Sequence, residues 1–434
     1  MRRWRYLLIG TQNRRYQKRL SQMMVALKAI FGTIESFTES GCIMVNFFRF
    51  KYKFCNSILL LAVGVMLASC GLPVESTRNN FTLSGTPISV ALLVPSGSEE
   101  ANENDLAQSL VNAANLALIE RPNVPIALKL YETAGDPDTA AIQAAQAVAE
   151  GAQVILGPVF SDTTQAASAA VGRNGPRLLS FSNNAAIAGG NVFILGQSFV
   201  DTADRLVEFA AQQGKARAIT LYGDTVSGNT GREAIQQALR SSLIDTAGTI
   251  PYQLTQQSVI DTIPSVKAIV DSEGADLIFL TATSAGALPL LVQLLPEAGL
   301  AMPEVQLVGL SRWDLPVQTL DLPGVQDGWF ALPNPDLSRQ FANRYREIYA
   351  DSPHPIASLA FDGMIAIITT LEESGSNRVN SATLTQSQGF DGANGLFRFN
   401  PDGSTKRALA IATVDNKQVI VIDPAPKSLD GVGS

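Results

Sequence analysis

Histidine is all but missing from this chain: His354 is the one imidazole in 434 residues. A Ser-His-Asp or Cys-His catalytic site would have to be built on it. It lies within Pro353-His354-Pro355, which reads as a rigid turn at a helix start. Cysteine is almost as scarce, with Cys42, Cys55 and Cys70 alone and none beyond residue 70. The body that follows therefore has no disulfide and no thiol nucleophile. Zinc-type sites assembled from His and Cys are excluded by count. Phosphate-binding signatures are missing as well. Gly223-Asp224-Thr225-Val226-Ser227-Gly228 has the glycine spacing of a phosphate loop, but the Lys that should follow is absent. No Gly-x-Gly-x-x-Gly follows the first strand signal, and no Gly-x-Ser-x-Gly occurs. Carboxylate-only chemistry of the glycosidase kind needs a defined pair of acids, and nothing in their spacing singles one out. These absences point to a protein that is not an enzyme, with no metal and no cofactor.

Charge is sparse and unevenly placed. Charged residues make up 16% of the chain and apolar ones 46%, so large cores can be buried. Residues 1–69 hold eleven of the 32 Lys/Arg and two of the 39 Asp/Glu. The remainder has 21 basic and 37 acidic residues, a net charge of −16. A body this acidic repels phosphate backbones, which argues against nucleic acid as a partner.

The basic start reads as a leader. Ile58–Leu67 is an uncharged apolar run preceded by Arg49, Lys51 and Lys53. As a helix such a run rises only ~15 Å, about half of what a bilayer core requires. Basic flank, short apolar run and small residues are the parts of an export signal. The run closes on Leu67-Ala68-Ser69-Cys70, which resembles the lipobox of bacterial lipoproteins. That resemblance implies cleavage before Cys70 and lipid attachment to its thiol. Residues 1–69 are then the leader; a start at Met44 would leave residues 44–69 as a signal of ordinary length. Gly71 to Pro87 is rich in Ser, Thr, Asn, Gly and Pro and reads as a tether, so residues 70–87 form a lipidated linker.

Beyond it, short β-branched runs alternate with longer helical patterns. Strand signals fall at 88–95, 126–132, 154–157 and 177–181, with helical spacing at 105–119, 139–150 and 163–171. A second series follows: strands at 218–222, 248–253, 277–281 and 306–310, with helices between them. Long helices are predicted over 336–349 and 358–373, and strands at 395–399, 408–414 and 419–422. Continuously apolar strands spaced by helices argue for parallel sheets covered on both faces. The fold class expected is α/β, with two doubly wound parallel-sheet lobes.

Several stretches, taken in order, resemble the type I periplasmic-binding proteins of the leucine-binding-protein kind. They are Ile88–Pro95, Leu128–Pro137 with its acidic turn, Gly151–Pro158 followed by Ser161, Ala360-Phe361-Asp362-Gly363, and Gly389–Phe399. The resemblance spans nearly all of residues 88–423. Within it, Ala91–Pro95, Leu128–Thr133 and Phe193–Gln213 resemble the LpoA type, lipoproteins that activate penicillin-binding peptidoglycan synthases, although the helical-repeat domain of long LpoA proteins is missing. The resemblance implies a hinge of several crossings. One lobe is then 88–198 plus 333–390, the other 199–332 plus 391–425, and 426–434 is a tail. A ligand would sit between the lobes, at the carboxyl ends of the strands.

Candidate cleft residues follow from that placement. Ser161, with Asp162, starts a helix after the third strand; family relatives place such a Ser on a ligand carboxylate, and a helix N-terminus suits one. Ser is equally a plain N-cap there. Ser182 and Asn184 lie in the Ser/Asn cluster after the fourth strand, a composition that ordinary turns share. From the second lobe come Thr281, at a strand end, and Trp313 and Asp314 in Ser311-Arg312-Trp313-Asp314. The stacking aromatic of amino-acid-binding relatives is replaced by Ser227. Two functions are expected. The first is an LpoA-type regulator docked on a peptidoglycan synthase and held in the outer membrane, since Gly71 is not the Asp that retains lipoproteins inside. The alternative is the solute receptor of an ABC importer, docked on its permease, with an amino acid or similar small polar ligand.

Overall fold

The structure, a computed structural model, describes residues 87–375 and 378–429. The leader, Cys70 and the tether to residue 86 lie outside the described residues.

The first lobe is built on five parallel strands: β1 (Ile88–Val94), β2 (Ile126–Glu132), β3 (Val154–Leu156), β4 (Arg177–Ser180) and β5 (Val192–Ile194), in the order β2-β1-β3-β4-β5. Helices α1 (Ala101–Glu120), α2 (Pro137–Ala149) and α3 (Ser161–Val171) make the crossovers. Strand β1 is buried along almost its whole length, as a strand covered on both faces must be. Helix α2 starts where Asp136 accepts the Thr139 N–H at 2.7 Å and Pro137 takes the first helical position.

The second lobe repeats the scheme with β6 (Arg217–Gly223), β7 (Asp245–Tyr252), β8 (Leu277–Leu280), β9 (Gln306–Gly309) and β10 (Trp329–Leu332), all parallel. Its helices are α4 (Phe199–Gln212), α5 (Val226–Arg240), α6 (Gln256–Glu273) and α7 (Leu288–Glu297). Two closing strands, β14 (Ala410–Asp415) and β15 (Gln418–Asp423), extend this sheet antiparallel, so one edge is mixed rather than purely parallel.

The chain returns to the first lobe through α8 (Pro335–Tyr349), α9 (Ser358–Ser374) and α10 (Ser381–Leu384). Helix α9 is buried from Ser358 through Ile368, the pattern of a helix packed on all sides. A small antiparallel sheet, β11 (Phe390–Gly392), β12 (Gly395–Phe399) and β13 (Thr405–Arg407), follows. The lobe boundary expected at residue 390 moves to about residue 407. Phe390, Phe397 and Phe399 are buried in the first lobe's core, and Phe399 meets Phe193 edge-on at 5.4 Å. The aromatic face of this sheet needs an apolar cover, and β5 and α9 supply it. Of the expected tail, residues 426–429 are described: Leu429 is buried, and Lys427 and Ser428 line a first-lobe groove with Glu120 and Arg344. Among the described residues no helix is long and apolar enough to cross a membrane.

Candidate functional site

The chain passes between lobes after β5, after β10 and after β13. A cleft of about 680 Å³ opens at these crossings. The turn after β3 builds its floor. Gly157 has φ +93, and a Cβ there would lie 2.2 Å from the Leu93 carbonyl oxygen, so the turn tolerates no side chain. It delivers Val159, Phe160 and Ser161 to the cleft. The end of β4 delivers Phe181, Ser182 and Asn183.

Two of the expected residues meet there. The Ser161 and Ser182 hydroxyls are 3.1 Å apart. Ser161 is the first residue of α3 rather than its cap, a position Phe160 fills without a side-chain bond. The Ser182 hydroxyl also accepts the Asn184 N–H at 3.2 Å. Ser180 stands behind them, its hydroxyl accepting the Ser182 N–H at 3.1 Å and touching Thr164 Oγ1 at 2.7 Å.

The other four expected residues are placed elsewhere. Asn184 caps a short turn, accepting the Ala186 N–H at 3.0 Å, and its neighbour Asn183 lines the cleft instead. Thr281 is absorbed in the second lobe. Its hydroxyl accepts the Gly223 N–H at 3.3 Å and meets the Tyr252 hydroxyl, which burial pushes up to about 12. Trp313 is 0% exposed and packs on Phe330 in the core. Asp314 holds Arg312 in a two-point ion pair, and it is Arg312 that lines the cleft.

Residues not expected in the cleft from the sequence complete the site: Gln197, His354, Asn394 and Arg407. Asn394 ties the site's helices together, donating to Ser358 Oγ at 2.7 Å and accepting from Ser338 Oγ at 2.8 Å. The His354 imidazole is held below its usual basicity by burial. Its Nδ1 accepts the Ile356 N–H at 3.4 Å. Among the described residues no His, Cys, Asp and Glu cluster could hold a metal.

The crossings carry a titratable group. Asp201 stands in the first turn of α4, directly after the first crossing, and its Oδ2 is buried without a partner. Burial pushes its carboxyl up to about 8, against the pull of the nearby Arg407 charge. The folded state therefore holds a proton that the unfolded chain releases at an ordinary carboxyl value near 3.8. Stability falls as pH rises between these two values, by at most about 1.4 kcal/mol per pH unit. Asp201→Asn is expected to flatten that slope. Denaturant unfolding at about pH 5 and pH 8 tests this, and an equal slope in both proteins would rule it out.

Residues 87–418 match the family model described as Periplasmic binding protein. No curated protein matches the chain. Solved structures share the fold at low identity. A branched-chain amino acid ABC transporter periplasmic ligand-binding protein from Burkholderia xenovorans is 18% identical, with TM-score 0.61 over 78% of this chain and 96% of that one. An ABC transporter substrate-binding protein from Desulfitobacterium hafniense, solved with Leu, is 19% identical, with TM-score 0.58 over 78% and 100%. A solute-binding protein of an ABC transporter from Rhodopseudomonas palustris, solved with 3,4-dihydroxy benzoic acid, is 17% identical, with TM-score 0.54 over 78% and 96%.

Proposed function

The chain belongs to the periplasmic binding protein family, and from that premise we propose that it is the solute-binding receptor of an ABC importer. Its non-catalytic character goes with the family. The observation that carries the reading is the cleft itself: it lies at the strand ends of the first lobe and is bounded by the crossings. It joins a hydroxyl pair, Ser161 and Ser182, to the N-terminus of α3. Backbone N–H groups at such a terminus favour an anionic group. Two relatives solved with ligands hold Leu and 3,4-dihydroxy benzoic acid, each a small carboxylic acid. The ligand here is accordingly a small carboxylic acid whose anionic head meets Ser161 and Ser182.

Calorimetric titration of the full chain with the standard amino acids and a panel of small carboxylic acids tests the reading. One ligand is expected to bind, and Ser182→Ala to weaken it by roughly tenfold, the worth of a hydrogen bond to a charged group. A panel without a single binder would overturn the receptor.

The regulator reading rests on the lipobox-like sequence and the resemblance to LpoA-type proteins, and the importer-type relatives support the receptor more strongly. Capture of a peptidoglycan synthase, with no ligand bound, would reverse that order. Lipid attachment at Cys70 suits either role. The mature protein is expected to lose a diacyl mass in Cys70→Ser, and a wild-type protein of unmodified mass would refute it.

A further inference from the structure

We infer that the cleft selects a carboxylic acid with an apolar body and no cationic amino group. The inference rests on the receptor reading above. An ammonium taken out of water needs a carboxylate or several neutral acceptors around it. Among the described residues that line the cleft, the charged ones are Arg312 and Arg407, and none is Asp or Glu. Of the carboxylates beside those two guanidinium groups, Asp314 and Asp362 are already committed, and Asp201, whose Oδ2 has no partner, is buried at the start of α4 and does not line the cleft. Asp314 grips Arg312 at two points. Asp362 takes Arg407 at 2.8 Å and the Ala393 N–H at 2.7 Å.

Closure of the lobes would bring up the strand ends of the second lobe, where the carboxylate directly after β6, Asp224, is bridged to two side-chain amides. Asp224 accepts from Asn229 at 3.2 Å through Oδ1 and from Gln253 at 2.8 Å through Oδ2. Beyond the ends of β6, β7 and β9 three apolar side chains stand exposed among polar ones such as Ser227 and Gln253: Val226 at 88%, Leu254 at 63% and Val317 at 64% exposure. These three suit a hydrocarbon or aromatic body.

His354 supplies the complementary half. A half-buried imidazole, less basic than usual and with Nδ1 accepting a backbone N–H, carries its one proton on Nε2. It is therefore a donor, matched to a carboxylate or carbonyl oxygen and mismatched to an ammonium. With the Ser161 and Ser182 hydroxyls, the polar groups at the floor can satisfy an oxygen-rich head. The walls, Phe160, Phe181, Phe341 and Leu359, take the body.

Three probes isolate the amino group. Isocaproate, α-ketoisocaproate and L-leucine share an isobutyl body and a carboxylate and differ only at the α-carbon. In calorimetric titration of the full chain, the two acids are expected to bind about tenfold or more tighter than leucine. His354→Leu is expected to weaken both acids, while His354→Gln, which keeps a donor, retains most of the affinity. Leucine binding as tightly as the acids, or tighter, overturns the inference and leaves the receptor reading standing. No heat from any of the three also overturns it, and the wider panel then decides the receptor reading separately. Unchanged affinity in His354→Leu removes His354 from the assignment.

Discussion

Replacing Arg407 with Met is expected to lower the folding free energy by about 3–5 kcal/mol, the cost of leaving a buried carboxylate without its partner. Asp362 is 0% exposed and the Arg407 side chain 6%. The guanidinium donates to Asp362 Oδ2 at 2.8 Å and, through Nε and Nη2, to the Leu195 carbonyl at 2.9 and 2.7 Å. It also lies 4.9 Å over the Phe397 ring. One side chain thereby holds the first crossing, the third crossing, α9 and the small sheet together. The surroundings leave no room for adjustment: a Cβ on Gly392 would lie 2.5 Å from Asp362 Oδ1. Removing Arg407 strips Asp362 of its counter-charge and the Leu195 carbonyl of its donors. Two single variants and a double variant, compared by denaturant unfolding, separate the causes. Arg407→Met should be the worst. Arg407→Met combined with Asp362→Leu should recover most of the loss, because no unpaired charge then remains buried. A single-variant loss below about 1 kcal/mol, the range of exposed pairs, would show that the pair is not a fastener of the hinge.

This pair also shows how far the sequence could be read. Ala360-Phe361-Asp362-Gly363 stands out by resemblance, but the partner 45 residues away does not. Its pairing depends on β13, a three-residue strand with no apolar alternation of its own. Central strands such as β1 and β6 are legible because a strand covered on both faces must be apolar throughout, whereas β2 and β7 lie at sheet edges and are mostly exposed or half-buried. Strands β5 and β10, Val-Phe-Ile and Trp-Phe-Ala-Leu, are not marked off in the sequence, although β3 and β8, apolar runs of the same lengths, are. The site was half legible for a related reason. Ser182 follows the end of β4 within two residues and Ser161 opens α3 after the turn that leaves β3, places that the strand-to-helix topology fixes. Asn184 shares the parity of Ser182, but the chain has already turned into a short 3-10 segment there, and parity no longer predicts direction. His354, Asn394 and Arg407 enter the cleft from segments far along the chain, and only the assembled crossings bring them in.

Trp313 is where composition pointed the wrong way, and its replacement gives the second large effect. An aromatic between Arg312 and Asp314 after a strand reads as a cleft wall. Yet two glycines prepare a slot for it in the core. A Cβ on Gly309 would lie 2.2 Å from the indole Nε1, and one on Gly328 would lie 2.1 Å from its Cζ3. The ring therefore rests on bare backbone at the end of β9 and the start of β10. It packs 6.3 Å from Phe330 in a stacked arrangement. Truncation to Ala removes the largest fully buried side chain among the described residues and leaves a hole that rigid strands cannot close, for a loss of about 3–5 kcal/mol. Trp313→Phe should cost much less, because Nε1 is buried without a hydrogen-bond partner and its removal relieves an unsatisfied donor. The two roles then separate cleanly in one experiment. A cleft residue would lose ligand affinity and keep its melting temperature. A core residue should lose melting temperature while the folded fraction, titrated well below the transition, binds as the parent does. Loss of affinity in Trp313→Phe with an unchanged melting temperature would return Trp313 to the cleft.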